Sequence, residues 1–181
     1  MRAVIVYESM FGSTRRIAEA IAVGLGQSLA VRTIGVIDAD ETVCKDADLV
    51  VVGGPTQAWS MSRPSTRRGA PLHLSDQDSD LVLERGADSG PGLREWIATI
   101  GKVDTRAAAF DTRISSPVLL TGRASKAIAR QLTRHGLTLI ISPESFLVDK
   151  KSHLVAGELE RARAWGTRLA AQVDRQGSLN A

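Results

Sequence analysis

The 181-residue chain contains one cysteine, Cys44, which excludes an intramolecular disulfide framework and any cysteine-held metal or iron–sulfur cluster. Its three histidines, His73, His135 and His153, are scattered and suggest no histidine-rich metal centre. Aromatic residues are scarce at 4%, with Tyr7 the sole tyrosine. Proteins that stack nucleic-acid bases interleave aromatics with basic runs. Here 23 basic residues mix with 20 acidic ones for a net charge of +3, and the nearest thing to a basic patch is Arg63, Arg67 and Arg68. The reading is therefore no nucleic-acid partner. No apolar run approaches the length of a membrane span, so no membrane insertion is expected. The opening Met1-Arg2-Ala3-Val4-Ile5-Val6-Tyr7-Glu8 meets charge too early for a secretory apolar region. With a lone cysteine, that suggests a reduced, cytoplasmic location.

What the chain does have is globular composition, 43% apolar and 24% charged. Its length bounds it to one domain over residues 1–181. Short apolar runs alternate with helical patterns, the signature of βαβ units and a parallel sheet. Ala3 to Tyr7 is a continuous apolar run suited to a strand covered on both faces. From Ser13, Ile17, Ala18, Ile21, Ala22 and Leu25 recur on one helical face, with Gly24 and Gly26 marking the helix end. Val31–Ile37 predicts a second strand, Asp40 and Glu41 a short weak helix, and Leu49–Val52 a third strand closed by Gly53-Gly54-Pro55. Residues 60–90 form an irregular insertion without sustained period, a kind of segment that is usually functional. Pro91 then opens a helix through Leu93, Trp96, Ile97 and Ile100. Val103–Phe110 reads as strand four, Ala124–Leu132 as a helix, and Leu137–Ile141 as strand five, continuing through Phe146–Val148. A last helix, Glu158–Val173, turns Leu159, Ala162, Trp165, Leu169 and Val173 inward. The expected fold is α/β: a doubly wound three-layer sandwich around a five-stranded parallel sheet.

Ligands of such sheets bind outside the carboxyl ends of the strands, where strand order reverses. The first loop there, Ser9-Met10-Phe11-Gly12-Ser13-Thr14, offers hydroxyls and a glycine at a helix N-terminus. Free N–H groups and the positive dipole end favour a phosphate; the same residues also suit simple N-capping by Ser13. A Gly-x-x-x-x-Gly-Lys-Ser/Thr loop is missing, as is a Gly-x-Ser-x-Gly elbow, so neither a P-loop nucleotidase nor an α/β hydrolase is indicated. The second loop, Gly54-Pro55-Thr56-Gln57-Ala58-Trp59, carries a tryptophan suited either to stacking on a flat ring or to folding back over its own loop. Phe110-Asp111-Thr112-Arg113 follows strand four, with Phe110 equally placed to end the strand inside the core.

These three segments together resemble the flavodoxin family over nearly the whole chain. Ser9, Gly12, Ser13 and Thr14 match the family's Thr/Ser-x-Thr-Gly-x-Thr phosphate loop, with Phe11 in place of the middle threonine. Trp59 stands where one aromatic shield is found, and Ser60 where a glycine usually follows it. The resemblance implies FMN as cofactor and electron transfer as function. The phosphate would lie among residues 9–14, and the ring between Trp59 and residues 110–113, with Arg113 replacing the outer tyrosine. It further implies redox partner proteins or a reduced nicotinamide nucleotide as electron donor. An FMN-dependent oxidoreductase of quinone or porphyrinogen type, and a flavin-less binding domain, are the alternatives.

Overall fold

The computed structural model describes residues 1–69 and 81–179; His73 and Pro71, within the irregular insertion, lie outside the described residues. Four strands form the continuous ladder: β1 (Arg2–Tyr7), β2 (Ala30–Gly35), β3 (Leu49–Gln57) and β5 (Arg106–Ile114). They lie parallel in the order β2-β1-β3-β5. A fifth position is filled in two pieces, β6 (Thr138–Leu139) and β7 (Glu144–Val148), both parallel to β5. Strand order thus reverses beside β1, between the β1 and β3 ends.

Side chains alternate across this sheet as the period of two requires. Ile5, Val51, Ala108 and Phe110 face one core with Ile17 and Ile21 of α1 (Ser13–Leu25) and Trp165 and Leu169 of α6 (Glu158–Leu179). Val4, Val6, Val50 and Val52 face the other core. There Leu93, Trp96 and Ile97 of α3 (Leu93–Thr99) and Ile128 and Leu132 of α5 (Ala124–Arg134) cover them. Both faces are apolar, and that is why these strands read as unbroken hydrophobic runs. Phe110, Phe146 and Trp165 meet edge to face at 6.2–6.4 Å between ring centres. Gly53 sits directly beneath: a Cβ there would fall 2.0 Å from the Phe110 ring.

Several boundaries differ from expectation. Gly24 lies inside α1 and does not stop it; a Cβ would stand 2.1 Å from the Arg163 carbonyl oxygen of α6. Gly166 faces it with its Cα 3.0 Å from the same point, so two glycines let the helix backbones touch. The second strand stops at Gly35, and Val36–Asp38 forms a 3-10 turn that drives Val36 into the core. Residues 41–46 make turns where a weak helix was expected. Strand four begins at Arg106, whose guanidinium donates to the Asp48 and Val173 carbonyls, and runs on to Ile114. The last strand breaks at 140–143, where Pro143 has no N–H for the ladder. Two short helices were not foreseen, α2 (Pro64–Arg68) and α4 (Val118–Thr121), nor was β4 (Ser60–Met61).

Two outcomes test this packing. Gly24→Ala should cost about 2–3 kcal/mol in urea unfolding, as overpacking does, whereas exposed Val23→Ala should be nearly neutral. Burial pushes the Cys44 thiol up to about 12. Its contribution to stability is complete below the unfolded thiol's value and is lost as pH rises from there toward 12. The fall in urea midpoint between pH 8 and pH 10.5 should therefore be smaller in Cys44→Ala than in the wild type.

Candidate functional site

At the carboxyl edge of the sheet the chain leaves β1 through Glu8–Gly12 and enters α1. Gly12 carries this corner at φ +87°, a conformation glycine adopts without strain. No side chain caps α1, and its first turn holds no acidic residue. Ser13 does not close the helix as a cap; its hydroxyl donates to the Ser152 carbonyl at 2.6 Å. The Thr14 and Thr112 hydroxyls bond each other at 2.7 Å, tying α1 to β5. Ser9 Oγ accepts from the Gly12 N–H at 3.1 Å and holds the loop in shape.

Two adjoining cavities open here. The first, 140 Å³, is walled by Met10, Phe11, Ser13 and Thr14 on one side, Pro55–Gln57 and Thr112–Ile114 on another, and Ser152 at its end. The second, 220 Å³, lies between Trp59 and Ala58 on one wall and Ile114, Leu120 and Thr121 on the other. Thr56, Arg113 and Ile114 line both, so the two form one crevice. A larger cavity of 270 Å³ lies on the other side of the first loop, beneath residues 84–87.

Trp59 owes its position to backbone geometry. Gln57 pairs with Ser60, leaving Ala58 and Trp59 as a two-residue hairpin turn with φ of 45° and 65°. Both central residues are left-handed, the pattern of a primed turn that normally selects Asn-Gly. The positive φ thus falls on Ala58 and Trp59, while Ser60 is ordinary strand. Gly122 backs the turn: a Cβ there would lie 2.4 Å from the Trp59 carbonyl oxygen. Trp59 is left 66% exposed, beside exposed Leu120 and half-exposed Ile114.

Several residues expected at the site do other work. Phe110 is fully buried in the aromatic cluster and lines neither half of the crevice. Asp111 is equally buried, and its carboxylate accepts from the Ser125 N–H at 2.7 Å, capping α5. Residues 110–113 belong to β5 itself and not to a loop, because that strand extends to Ile114. Gly54 is buried against Leu93. Thr56 lines the crevice and also accepts from the Ala124 N–H at 2.9 Å. Arg113 donates to the Ser116 carbonyl at 2.7 Å and so pins the segment after β5. Arg67 is no surface cation: it is 4% exposed and paired with Glu95 at 3.0 Å. The buried Glu8 accepts from the Leu93 N–H at 2.8 Å, joining the first loop to α3.

Sequence reasoning missed Ser152, Ile114, Leu120 and the role of residues 81–87. The loop after the last strand reaches the same sheet edge, and that topological signal identifies Ser152. The seat of Leu83 and Ala87 on Met10 and Phe11 left no local pattern, yet it gives the Phe11 side chain an apolar partner.

No protein-family model and no curated protein matches the sequence. Solved structures do. The chain superposes on a flavodoxin from the domain Archaea over 96% of its own length and 99% of the other's, with TM-score 0.64 and 23% identity. It has the flavodoxin-like fold. Flavodoxin 1 from Bacillus cereus matches over 97% of this chain and 98% of its own, at TM-score 0.63 and 16% identity. The flavodoxin-like fold also covers 36% of rubredoxin oxygen:oxidoreductase from Desulfovibrio gigas, at TM-score 0.61 and 17% identity. At such identities the likeness is one of architecture. Among the described residues no helix is long and apolar enough to cross a membrane, and no cluster of metal-ligating side chains occurs.

The strained turn yields a direct test. Ala58→Gly should stabilise the protein by about 1 kcal/mol, because glycine adopts a positive φ without the Cβ penalty. A loss of stability in urea would show that the turn is not left-handed at this position.

Proposed function

We propose that the chain binds FMN in the crevice between α1 and Trp59 and serves as a flavodoxin-like electron-transfer protein. The observation that carries this reading is the joining of two unlike halves. An uncapped helix N-terminus lined by hydroxyls runs into a slot of mixed polarity whose apolar surface is Ala58, Ile114, Leu120 and an exposed indole. A phosphate ester needs the first, a flat hydrophobic ring the second, and one molecule carrying both would span them.

The residues fit that group. The N–H groups of Ser13 and Thr14 would meet the phosphate, helped by the positive end of the helix. The hydroxyls of Ser13 and Thr14 can rotate from their present partners toward it. Thr56 and Gln57 would flank the linking chain. Trp59, Ile114 and Leu120 would cover the ring and keep water from it, and Gly122 with Arg113 would hold those walls in register. Bound there, FMN supplies one- and two-electron transfer, while the protein contributes binding and electrostatics. An apolar fringe of Val118, Leu119 and Leu120, with Leu119 91% exposed, includes one wall residue of the slot, Leu120. Such a fringe favours a docking redox partner protein over a closed substrate pocket. It makes the carrier reading stronger than that of an oxidoreductase acting alone.

Titrating the purified protein with FMN should quench tryptophan fluorescence at one equivalent, because Trp59 is the exposed indole while Trp96 and Trp165 are buried. Trp59→Ala should weaken FMN binding roughly tenfold or more. An absence of quenching, or unchanged affinity in the variant, would contradict the proposal. Unaided oxidation of NADH or NADPH with a quinone by the flavin-loaded protein would favour the oxidoreductase instead.

A further inference from the structure

Residues 81–87 lie as a strap across the loop that enters α1, and their attachment is specific. The Glu84 N–H donates to the Met10 carbonyl at 2.9 Å. Leu83 and Ala87 pack on Met10 and Phe11. Arg85 is tied to Asp38 at 2.7 Å. Gly86, at φ +70°, leaves room for Ile37, whose Cδ1 would lie 2.1 Å from an added Cβ. The strap is therefore anchored on both sides of Glu84, and its carboxylate has a fixed place.

That place is beside the mouth of α1. Glu84 Oε1 stands 3.4 Å, and Arg15 Nη2 3.6 Å, from the position a Cβ would take on Gly12, the residue at the helix N-cap. It also accepts from Arg15 Nε at 2.7 Å, and Glu19 takes Arg15 Nη1 at 2.9 Å. Arg15 is the cation of the first helical turn on this side, and two carboxylates hold it. A carboxylate next to an anion site is paradoxical if the site exists to grip a dianion as tightly as possible. It makes sense if phosphate affinity is held down.

We infer that Glu84, by engaging Arg15 at the N-terminus of α1, is a specificity-determining residue that reduces the site's preference for phosphorylated over unphosphorylated flavin. The inference rests on the FMN reading above and concerns only the phosphate end of the crevice. Arg15 retained by Glu84 and Glu19 gives little of its charge to an incoming phosphate. Released from Glu84, it keeps only its Glu19 partner and has more of its charge to offer the site, and the direct repulsion by Glu84 disappears with it. The ring end, formed by Trp59, Ile114 and Leu120, is untouched by either change.

The test is a pair of fluorescence titrations of the full-length, flavin-free protein, one with FMN and one with riboflavin. Glu84→Gln keeps the size of the side chain and leaves the strap's backbone bond intact. It should tighten FMN binding about two- to fivefold, as for loss of one partly exposed charge pair, and leave riboflavin binding unchanged. Arg15→Gln, which leaves the strap's backbone bond and its Leu83 and Ala87 packing in place, should weaken FMN alone. In the Arg15→Gln background the gain from Glu84→Gln should shrink, since the two residues act as a unit. Equal shifts for both flavins, or an undiminished gain without Arg15, would overturn the inference while leaving the FMN reading in place. Failure of both flavins to bind the wild type would overturn the two together.

Discussion

Gly12 turns the chain from β1 into α1 at φ +87°, and that left-handed corner decides what the sheet edge can do. A residue with a side chain would strain there. With glycine the loop closes tightly, Ser9 secures it from within, and the helix begins with its N–H groups uncapped. Those groups need an acceptor, and the N-cap supplies none, because Gly12 has no side chain and the Ser13 hydroxyl is bonded to the Ser152 carbonyl. The positive end of α1 is thus turned toward a crevice and not closed by its own sequence.

The opposite wall depends on a different sort of strain. Ala58 and Trp59 occupy a turn that suits Asn-Gly, at a cost of about 1–2 kcal/mol per left-handed residue. Such strain persists only where the surroundings over-determine it. Here the β3–β4 pairing fixes both ends of the turn, and Gly122 allows the segment after β5 to press against its back. Behind the site, Asp111 and Thr56 cap α5 from two neighbouring strands, so the strands that form the crevice floor also hold the helix beneath it. The crevice and the core are one mechanical unit.

Much of this is legible in the sequence because it rests on local pattern. The β1 and β3 runs, the apolar face of α1 and the inward residues of α6 follow from periods of 2 and 3.6 that burial enforces. The glycine and hydroxyls of the first loop announce the start of a helix. What could not be read depends on partners distant in sequence. Gly24 looks like a helix stop until Gly166 arrives from α6 to meet it. Arg67 looks like a surface charge until Glu95 is folded over it. Residues 110–113 look like a loop because Asp111, Thr112 and Arg113 are polar. They are strand because Asp111 caps a helix, Thr112 bonds Thr14 and Arg113 holds the following segment. Polar residues at a sheet edge carry two signals, and only the tertiary partner separates them.

The claim on which the account turns is that a phosphate-bearing flavin sits with its anion at the start of α1 and its ring against Trp59. Amide NMR of uniformly labelled protein tests this most directly, by following each N–H as FMN is added. The account predicts that the largest shifts fall on the backbone amides of Gly12, Ser13 and Thr14 and on the Trp59 indole, with riboflavin moving the indole but not the three amides. Shifts that spare residues 12–14, or that centre on the cavity beneath residues 84–87, would contradict it.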